Sequence, residues 1–457
     1  MYGGGVKQSV LHPLVLAAMI VAIILILLLP RKYVIAPLLF VAFLSPLGQV
    51  VYIAGLHLFV LRLLILFGWV RILCTKLSSQ LPLLPGQLNP VDIAFVLGST
   101  YRAAAILITY PNWDAIVNQG GGLWDCLGGY FLLRFVIRDD EDVSRAIKVL
   151  AVIAAILSVG MLNEKFHNQN LFGFLGSVPL IPQNRDGAIR AQGPFEHAIL
   201  AGTFGATLFP LFFLLWRNWK TKALGIAGMI AATVITFVSA SSTPLLAYTG
   251  GIIGLCFWPL RKRLRLCRWG LAMLLTGLHL VMKVPVWFLI ARIEVLGGNS
   301  GWHRAELIDV CVKHFFDWWL VGSKNYANWG LEMWDVGNTY VAESETGGLL
   351  ALICLIGVIS LSFSRLGIAR KSVEGDRKKE WYLWLIGAAL FAHVVAYFGI
   401  TYFDQTRMSW YALLAIISAT TAPFLETANT TADAEPGIAL LDSQIVFSRS
   451  PRIDHHN

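Results

Sequence analysis

The chain is 457 residues long, 56% hydrophobic and only 14% charged, whereas an average soluble protein is roughly a quarter charged, so a string of soluble domains is excluded. Its 16 Trp, 26 Phe and 41 Gly suit a polytopic membrane protein, in which aromatic belts and close-packing glycines recur. The net charge of +9 would by itself admit a nucleic-acid partner, and the placement of the positive charges decides against one.

Apolar stretches of about 20 residues can cross a bilayer as helices. In chain order the sequence predicts spans at Leu11–Leu29, Tyr33–Ile53, Leu56–Leu73, Val91–Tyr110, Gly122–Ile137 and Ala146–Leu162. Further spans follow at Phe195–Trp216, Ala223–Val238, Pro244–Leu260, Gly270–Ile290, Gly347–Phe363, Trp381–Tyr402 and Met408–Phe424. The expected fold is therefore all-α and polytopic, with about 12–13 transmembrane helices, because one of the first three closely spaced segments can be tilted or re-entrant. The units read as N-terminal helices over 1–162, a loop over 163–194, central helices over 195–290, a large loop over 291–346 and C-terminal helices over 347–425. No basic segment followed by a small-residue cleavage site marks a removed signal peptide. The polar stretch from Glu426 to Asn457 is expected to be a disordered cytoplasmic tail.

Most of the 36 Lys and Arg fall in alternate connections: Arg31/Lys32, Arg71/Lys76, Arg138/Arg145/Lys148, Arg217/Lys220/Lys222, Arg261 to Arg268 and Arg365 to Lys379. The positive-inside rule assigns these to the cytoplasm. The net charge is thus a topology signal rather than a nucleic-acid footprint. An odd number of spans places the N-terminus outside, an even number inside. The few cations of the opposite connections are Lys165, Arg185, Arg190, Arg292, Arg304, Lys313, Lys324 and Arg407.

Two outward segments are long, Asn163–Pro194 and Ala291–Glu345, and long loops in an economical chain are functional candidates. In the larger one Leu307, Val310, Cys311, His314, Phe315 and Trp318 recur at helical spacing. Such a helix either lies on the membrane surface or roofs a cavity, and the roof is favoured because the segment joins two spans directly. The cysteines Cys74, Cys126, Cys256, Cys267, Cys311 and Cys354 have no CxxC or metal spacing, so neither a disulfide framework nor a zinc site is expected; no cofactor is expected either.

Three constellations carry candidate chemistry. Arg190, Glu196 and His197 lie where the first long loop re-enters the membrane; a guanidinium near a helix head suits an anion, and an interfacial Arg–Glu anchor is the plain alternative. His303, Arg304 and Glu306 open the amphipathic helix, Arg304 standing against the dipole preference for anions in a first turn. Asn338, Tyr340, Glu343 and Glu345 lead into the next span; carboxylates two apart face different ways, so at most one points into a cavity. Within predicted spans, Arg134 near an inner end is expected to snorkel, while Arg102 should face the bundle interior or water. The turn Ser239-Ala-Ser-Ser242-Thr-Pro244 either binds sugar or caps the next helix, and capping is favoured.

Together these segments resemble the O-antigen ligase and Wzy-type polysaccharide polymerase family. Arg190, Gly193, Phe195 and His197 match its Arg-x-x-Gly-x-Phe-x-His stretch, with Ala198 where the family has Pro. Ser239 to Ser242 match its hydroxyl hairpin, and Arg304 with Trp319-Leu-Val-Gly322 its large loop. Asn338, Tyr340, Glu345 and Gly347 match its last motif, but Gly337 stands where the family has His before Asn. The resemblance covers Arg185 to Gly357 by motif and the earlier spans only by hydropathy. It implies a GT-C-like glycosyltransferase of the bacterial inner membrane, acting at the periplasmic face on an undecaprenyl-pyrophosphate-linked glycan. It implies Arg190 and Arg304 on the pyrophosphate, with Glu196, Asn338, Tyr340 and Arg102 also binding substrate. The base would be His303, His197 or Glu345, since the family's His is absent. Acceptors would be a glycan, which makes the protein a polymerase, or a lipid A core, which makes it a ligase; the wording around Arg190 favours the polymerase. Membrane lipids and a chain-length regulator would be its partners. A flippase for the same lipid-linked sugar is the rival reading, disfavoured because transporters show inverted repeats and none is visible here.

Overall fold

The computed structural model describes residues 9–53, 55–78, 84, 87–185, 187–216, 219–292, 300–403 and 405–445, the side chains of 78, 300 and 426–445 excepted. Its helices begin with α1 (Pro13–Leu28) and α2 (Ile35–Leu44), followed by a hairpin of β1 (Val50–Ile53) and β2 (Leu56–Phe59). Next come α3 (Val60–Ser78), α4 (Pro90–Thr109), α5 (Trp113–Leu123), α6 (Gly129–Val136) and α7 (Asp140–His167). A second hairpin, β3 (Gln183–Arg185) and β4 (Ala188–Arg190), precedes α8 (Ala198–Trp216), α9 (Trp219–Val238), α10 (Ser242–Cys256) and α11 (Leu264–Val281). The chain closes with α12 (Ser300–Lys313), α13 (Phe315–Trp318), α14 (Thr339–Ser372), α15 (Arg377–Ala396) and α16 (Thr406–Ile445).

Seven of these, α4, α7, α8, α9, α11, α14 and α16, are long and apolar enough to cross a membrane, and α1 and α10 are shorter apolar helices. The protein is an all-α, polytopic membrane protein. Side-chain bonds define the two ends of the bundle. At one end Gln49 reaches the Leu175 carbonyl, and Gln405 reaches the carbonyls of Ser45 and Pro194. At the other, Arg31 pairs with Asp142, Arg261 with Glu380 and Lys262 with Glu374. The first is the loop end and the second the basic end.

Burial sorts the helices. Some 78% of the spanning window of α8 and 83% of that of α16 are buried, against none of α11; the first two form the centre and the last is peripheral. α8 and α9 approach closely because α8 presents glycines: a Cβ at Gly202 would lie 2.3 Å from Ser239 Oγ, and one at Gly205 2.8 Å from the Ala232 carbonyl oxygen. Small residues give membrane helices their van der Waals contact, since lipid and side chains are equally apolar.

Several expectations are corrected. Tyr33–Ile53 is no single span: α2 stops before Pro46 and Gly48, and Val50–Ile53 pairs as a strand with Leu56–Phe59, β-branched and aromatic residues that suit a ladder. Gly122–Ile137 is helical as far as Val136 but begins earlier, at Trp113, and contains a π turn over Trp124–Gly128. Arg134 does not snorkel. It is fully buried and pairs with Asp92 at 3.0 Å, and Asp92 also accepts the Tyr130 hydroxyl and closes a capping box with Asn89. The first part of the expected disordered tail has helical backbone as far as Ile445, while 446–457, like 293–299 of the large loop, lie outside the described residues.

α14 is interrupted at Gly348, whose φ of +74° lies in the left-handed region. The break lets the Leu349 amide donate to the Trp319 carbonyl at 2.8 Å, fastening the large loop to the bundle. A Cβ at Gly348 would lie 2.4 Å from the Leu320 carbonyl oxygen. Gly348→Ala is therefore expected to lower stability by about 1–3 kcal/mol from backbone strain and to loosen the 319–322 segment. Thermal unfolding of the purified protein checks this; an unchanged melting temperature would show that the loop yields at no cost.

Candidate functional site

The re-entry stretch after β4 is held from three sides. The carboxylate of Glu164, fully buried near the end of α7, accepts the backbone N–H groups of Gln192 and Gly193 at 3.1 and 2.9 Å. Asn170 donates to the Gly193 carbonyl, and the Ala191 amide donates to the last residue of α9, Val238. β4 pairs with β3 in the register Gln183↔Arg190. Arg190 is thereby fixed and only 8% exposed; it donates to Ser241 Oγ at 2.8 Å and Gln183 Oε1 at 3.2 Å. Its Nε is buried with no partner.

Arg304 arrives from the opposite side, on α12. It too is 8% exposed and donates to Thr243 Oγ1 at 2.8 Å and Ser242 Oγ at 3.2 Å. The favoured capping role of this hydroxyl turn is corrected: Ser241 stands at the N-cap of α10 without a side-chain cap bond. Instead Ser241 donates its hydrogen to the Ser239 carbonyl and Thr243 to that of Gly399, leaving their lone pairs to the two guanidinium groups. The hydroxyl hydrogens are thus spent on the fold and the acceptors on the site.

Among the described residues no carboxylate forms an ion pair with Arg190 or Arg304. Burial first, and then the like charge of Arg185 on β3, pulls both guanidinium groups below their usual pKa range. Two buried cations thus meet on one hydroxyl turn, with Arg185 near enough for its charge to be felt by both. Planar guanidinium forks suit a phosphate or pyrophosphate, which they bond bidentately.

The other residues singled out by sequence fall at several places. Glu196 and His197 are exposed at the head of α8, the His197 ring meeting Phe403 edge-on at 5.8 Å. His303 shares a hydrogen bond with the Asp335 carbonyl at 3.2 Å. Asn338 caps α14 by accepting from the Tyr340 and Val341 amides, and the Tyr340 hydroxyl donates to the Val394 carbonyl. Glu345 is 1% exposed under the large loop, its Oε2 unpartnered, and no bond joins it to either arginine. Arg102 instead meets Glu343 at 3.4 Å and Thr346, in a cavity of about 310 Å³ that Arg407, Tyr402 and Trp410 also line. Of Glu343 and Glu345, one faces that cavity and the other does not. Leu307, Cys311 and Trp318 are buried, the last two packing on Val341 of α14, so α12 and α13 cover the bundle rather than float above it.

Sequence reasoning missed Glu164, Gln183 and the part played by Arg185. Nothing in local spacing ties Glu164 to amides 28 positions away. Glu164→Gln removes the charge from two charge-assisted hydrogen bonds, and loss of about 1.5–3 kcal/mol of local support is expected. Limited proteolysis in the 183–197 stretch should accelerate while the helices stay protected; cleavage at the wild-type rate would remove Glu164 from the positioning of Arg190. In comparisons with known proteins, no family model matches the chain and no curated protein matches it significantly.

Proposed function

We propose that the protein is a membrane glycosyltransferase that polymerises or transfers a glycan carried on a polyprenyl pyrophosphate, at the outer face of a bacterial inner membrane. The observation that carries the reading is the convergence of Arg190 and Arg304 on the Ser241–Thr243 turn, with no carboxylate paired to either among the described residues. These residues stand at the loop end, opposite the end where Lys and Arg cluster, and the positive-inside rule makes the loop end the outer one. The order of the resembling motifs supports the same family of reactions.

In this reading the pyrophosphate sits between the two guanidinium groups. An acceptor hydroxyl attacks the anomeric carbon; the new C–O bond forms as the bond to the pyrophosphate oxygen breaks, and the lipid pyrophosphate leaves. Arginines aimed at that oxygen stabilise the charge it gains. The hydroxyl proton passes to a base. Of His303, His197 and Glu345, His197 suits this best, being exposed at the loop end with its ring against Phe403, while Glu345 lies buried beneath the loop. The acceptor is a growing glycan in the favoured polymerase form and a lipid A core in the ligase form.

The test is reconstitution of the full chain in liposomes with a polyprenyl-pyrophosphate-linked oligosaccharide. Longer glycan and free polyprenyl pyrophosphate are expected. Intact donor moved to the other leaflet, with no elongation, would replace the enzyme reading with the flippase.

A further inference from the structure

The cavity of about 310 Å³ that holds the Arg102–Glu343 pair lies between α4, α5, α14 and α16. It starts at the loop end, where Thr109 of α4 donates to the Val321 carbonyl of the large loop and α5 follows at Trp113. The exposed Asn118 of α5 stands at its rim, and it runs inward along α4 as far as Ala94. The segment 397–403 borders both this cavity and the arginine pair. Tyr397, Thr401 and Tyr402 line the cavity, while Gly399 between them accepts the hydroxyl hydrogen of Thr243.

The lining carries one positive charge in excess. Arg102 and Arg407 are its cations and Glu343 its carboxylate, which lies 3.4 Å from Arg102. Arg407 donates through Nε to the Tyr402 carbonyl at 2.8 Å; among the described residues its Nη groups make no hydrogen bond and no ion pair. Asp125, outside the lining, feels the charge of Arg407, but both its oxygens are taken by Arg62 at 2.9 to 3.1 Å. Trp410 is only 5% exposed, yet its indole N–H has no hydrogen-bond partner among the described residues. A buried Trp N–H ordinarily finds one. Thr339 and Thr401 spend their hydroxyl hydrogens on the carbonyls of Ile400 and Val336, which leaves their lone pairs for a donor.

We propose that this cavity binds an acidic sugar unit of the acceptor glycan. The carboxylate sits on the Nη groups of Arg407, a fork made for it. One ring hydroxyl accepts from the Trp410 indole, others donate to Thr339 and Thr401, and the C–H face of the ring packs on Tyr402, Trp410 and Tyr411. A polyprenyl chain would fill the volume and leave the guanidinium and the indole N–H unpaired. A small inorganic anion would pair with Arg407 and leave the aromatic wall bare. A sugar with one negative charge answers both, and ligand sites of about 300 Å³ and more combine an apolar wall with a few placed polar groups in this way. The role of acceptor rests on the glycosyltransferase reading; the saccharide site itself does not.

The test titrates digalacturonate and its neutral counterpart digalactose into the full chain in detergent, with no donor present, and reads binding by calorimetry. Wild type is expected to bind the acidic sugar tighter by about tenfold to a hundredfold, the worth of a hydrogen bond to a charged group. Arg407→Gln should abolish that ratio and leave digalactose binding as it is. Gly122 lines the cavity and a Cβ there meets nothing within 4 Å, so Gly122→Leu should weaken both sugars with Arg407 intact. Arg190→Gln/Arg304→Gln should bind both as wild type does. Equal wild-type affinity for the two sugars, an unchanged ratio in Arg407→Gln, or a parallel fall of both sugars in that variant overturns the proposal. Competition by acetate or by phosphatidylglycerol at the sugar's own concentration overturns it in favour of a bare anion or a lipid headgroup. Binding by a protein that elongates no glycan in liposomes keeps the site and removes the acceptor role, whereas elongation without binding removes the site alone.

Discussion

Replacing Arg304 with alanine should abolish glycan transfer and leave the folded protein at least as stable as wild type. The two halves of that expectation come from the same electrostatics. A preorganised donor aimed at charge that develops in a transition state is worth about 10²–10³ in rate, and Arg304 is one of two such groups at the proposed pyrophosphate site. Yet in the unliganded fold Arg304 is buried, carries no ion pair among the described residues and feels the charge of Arg185. Removing it relieves repulsion and leaves only the hydroxyl lone pairs of Ser242 and Thr243 unused. Arg190→Ala should behave alike, with Arg304→Lys intermediate because a point charge cannot reproduce the guanidinium fork. Turnover in liposomes and thermal unfolding, measured on the same preparations, check both halves. A drop in melting temperature that parallels the loss of activity would make the arginine a structural strut instead.

The second large effect lies at the opposite end and concerns stability alone. Asp92 and Arg134 are both fully buried, 3.0 Å apart, with Asp92 also holding Tyr130 and the start of α4. Removing one member of a buried pair strands the other charge and costs about 3–5 kcal/mol. Asp92→Ala is expected to yield little folded protein. The double variant Asp92→Leu/Arg134→Met, which removes both charges and keeps apolar volume, should recover much of the loss, since well-packed apolar residues often replace a buried pair without penalty. Thermal melts of purified protein decide it: a single variant as stable as wild type would show that water or another group already compensates Arg134.

These two sites show what could be read from the chain and what could not. Spans such as Ala198–Trp216 and Trp219–Val238 were legible because some twenty apolar residues leave little alternative to a helix in a bilayer. Tyr33–Ile53 was misread because hydropathy sums apolar character without regard to chain direction, and a short helix with a hairpin scores like one span. Arg190 and Arg304 stood out because they belong to the few cations that break a charge bias most basic residues obey, and because each lies beside other polar residues at a helix head. That they meet on one hydroxyl turn was not legible, since Ser241 lies 51 positions from Arg190 and Thr243 61 from Arg304, and Ser or Thr before a helix ordinarily reads as a cap. Arg134 failed for the same reason: its nearness to a predicted span end was local, while its partner Asp92 is 42 residues back. Asn338, by contrast, fits a local rule, and its carboxamide serves as the cap of α14.

The central claim is that Arg190 and Arg304 form one pyrophosphate site. It is tested most directly by titrating a short-chain polyprenyl pyrophosphate into the full protein in detergent, wild type against Arg190→Gln/Arg304→Gln. Binding by wild type that weakens with salt, and a loss of about 10²-fold or more in the variant, is the expected result for two desolvated charge-assisted contacts. Equal affinity in the two proteins would contradict it.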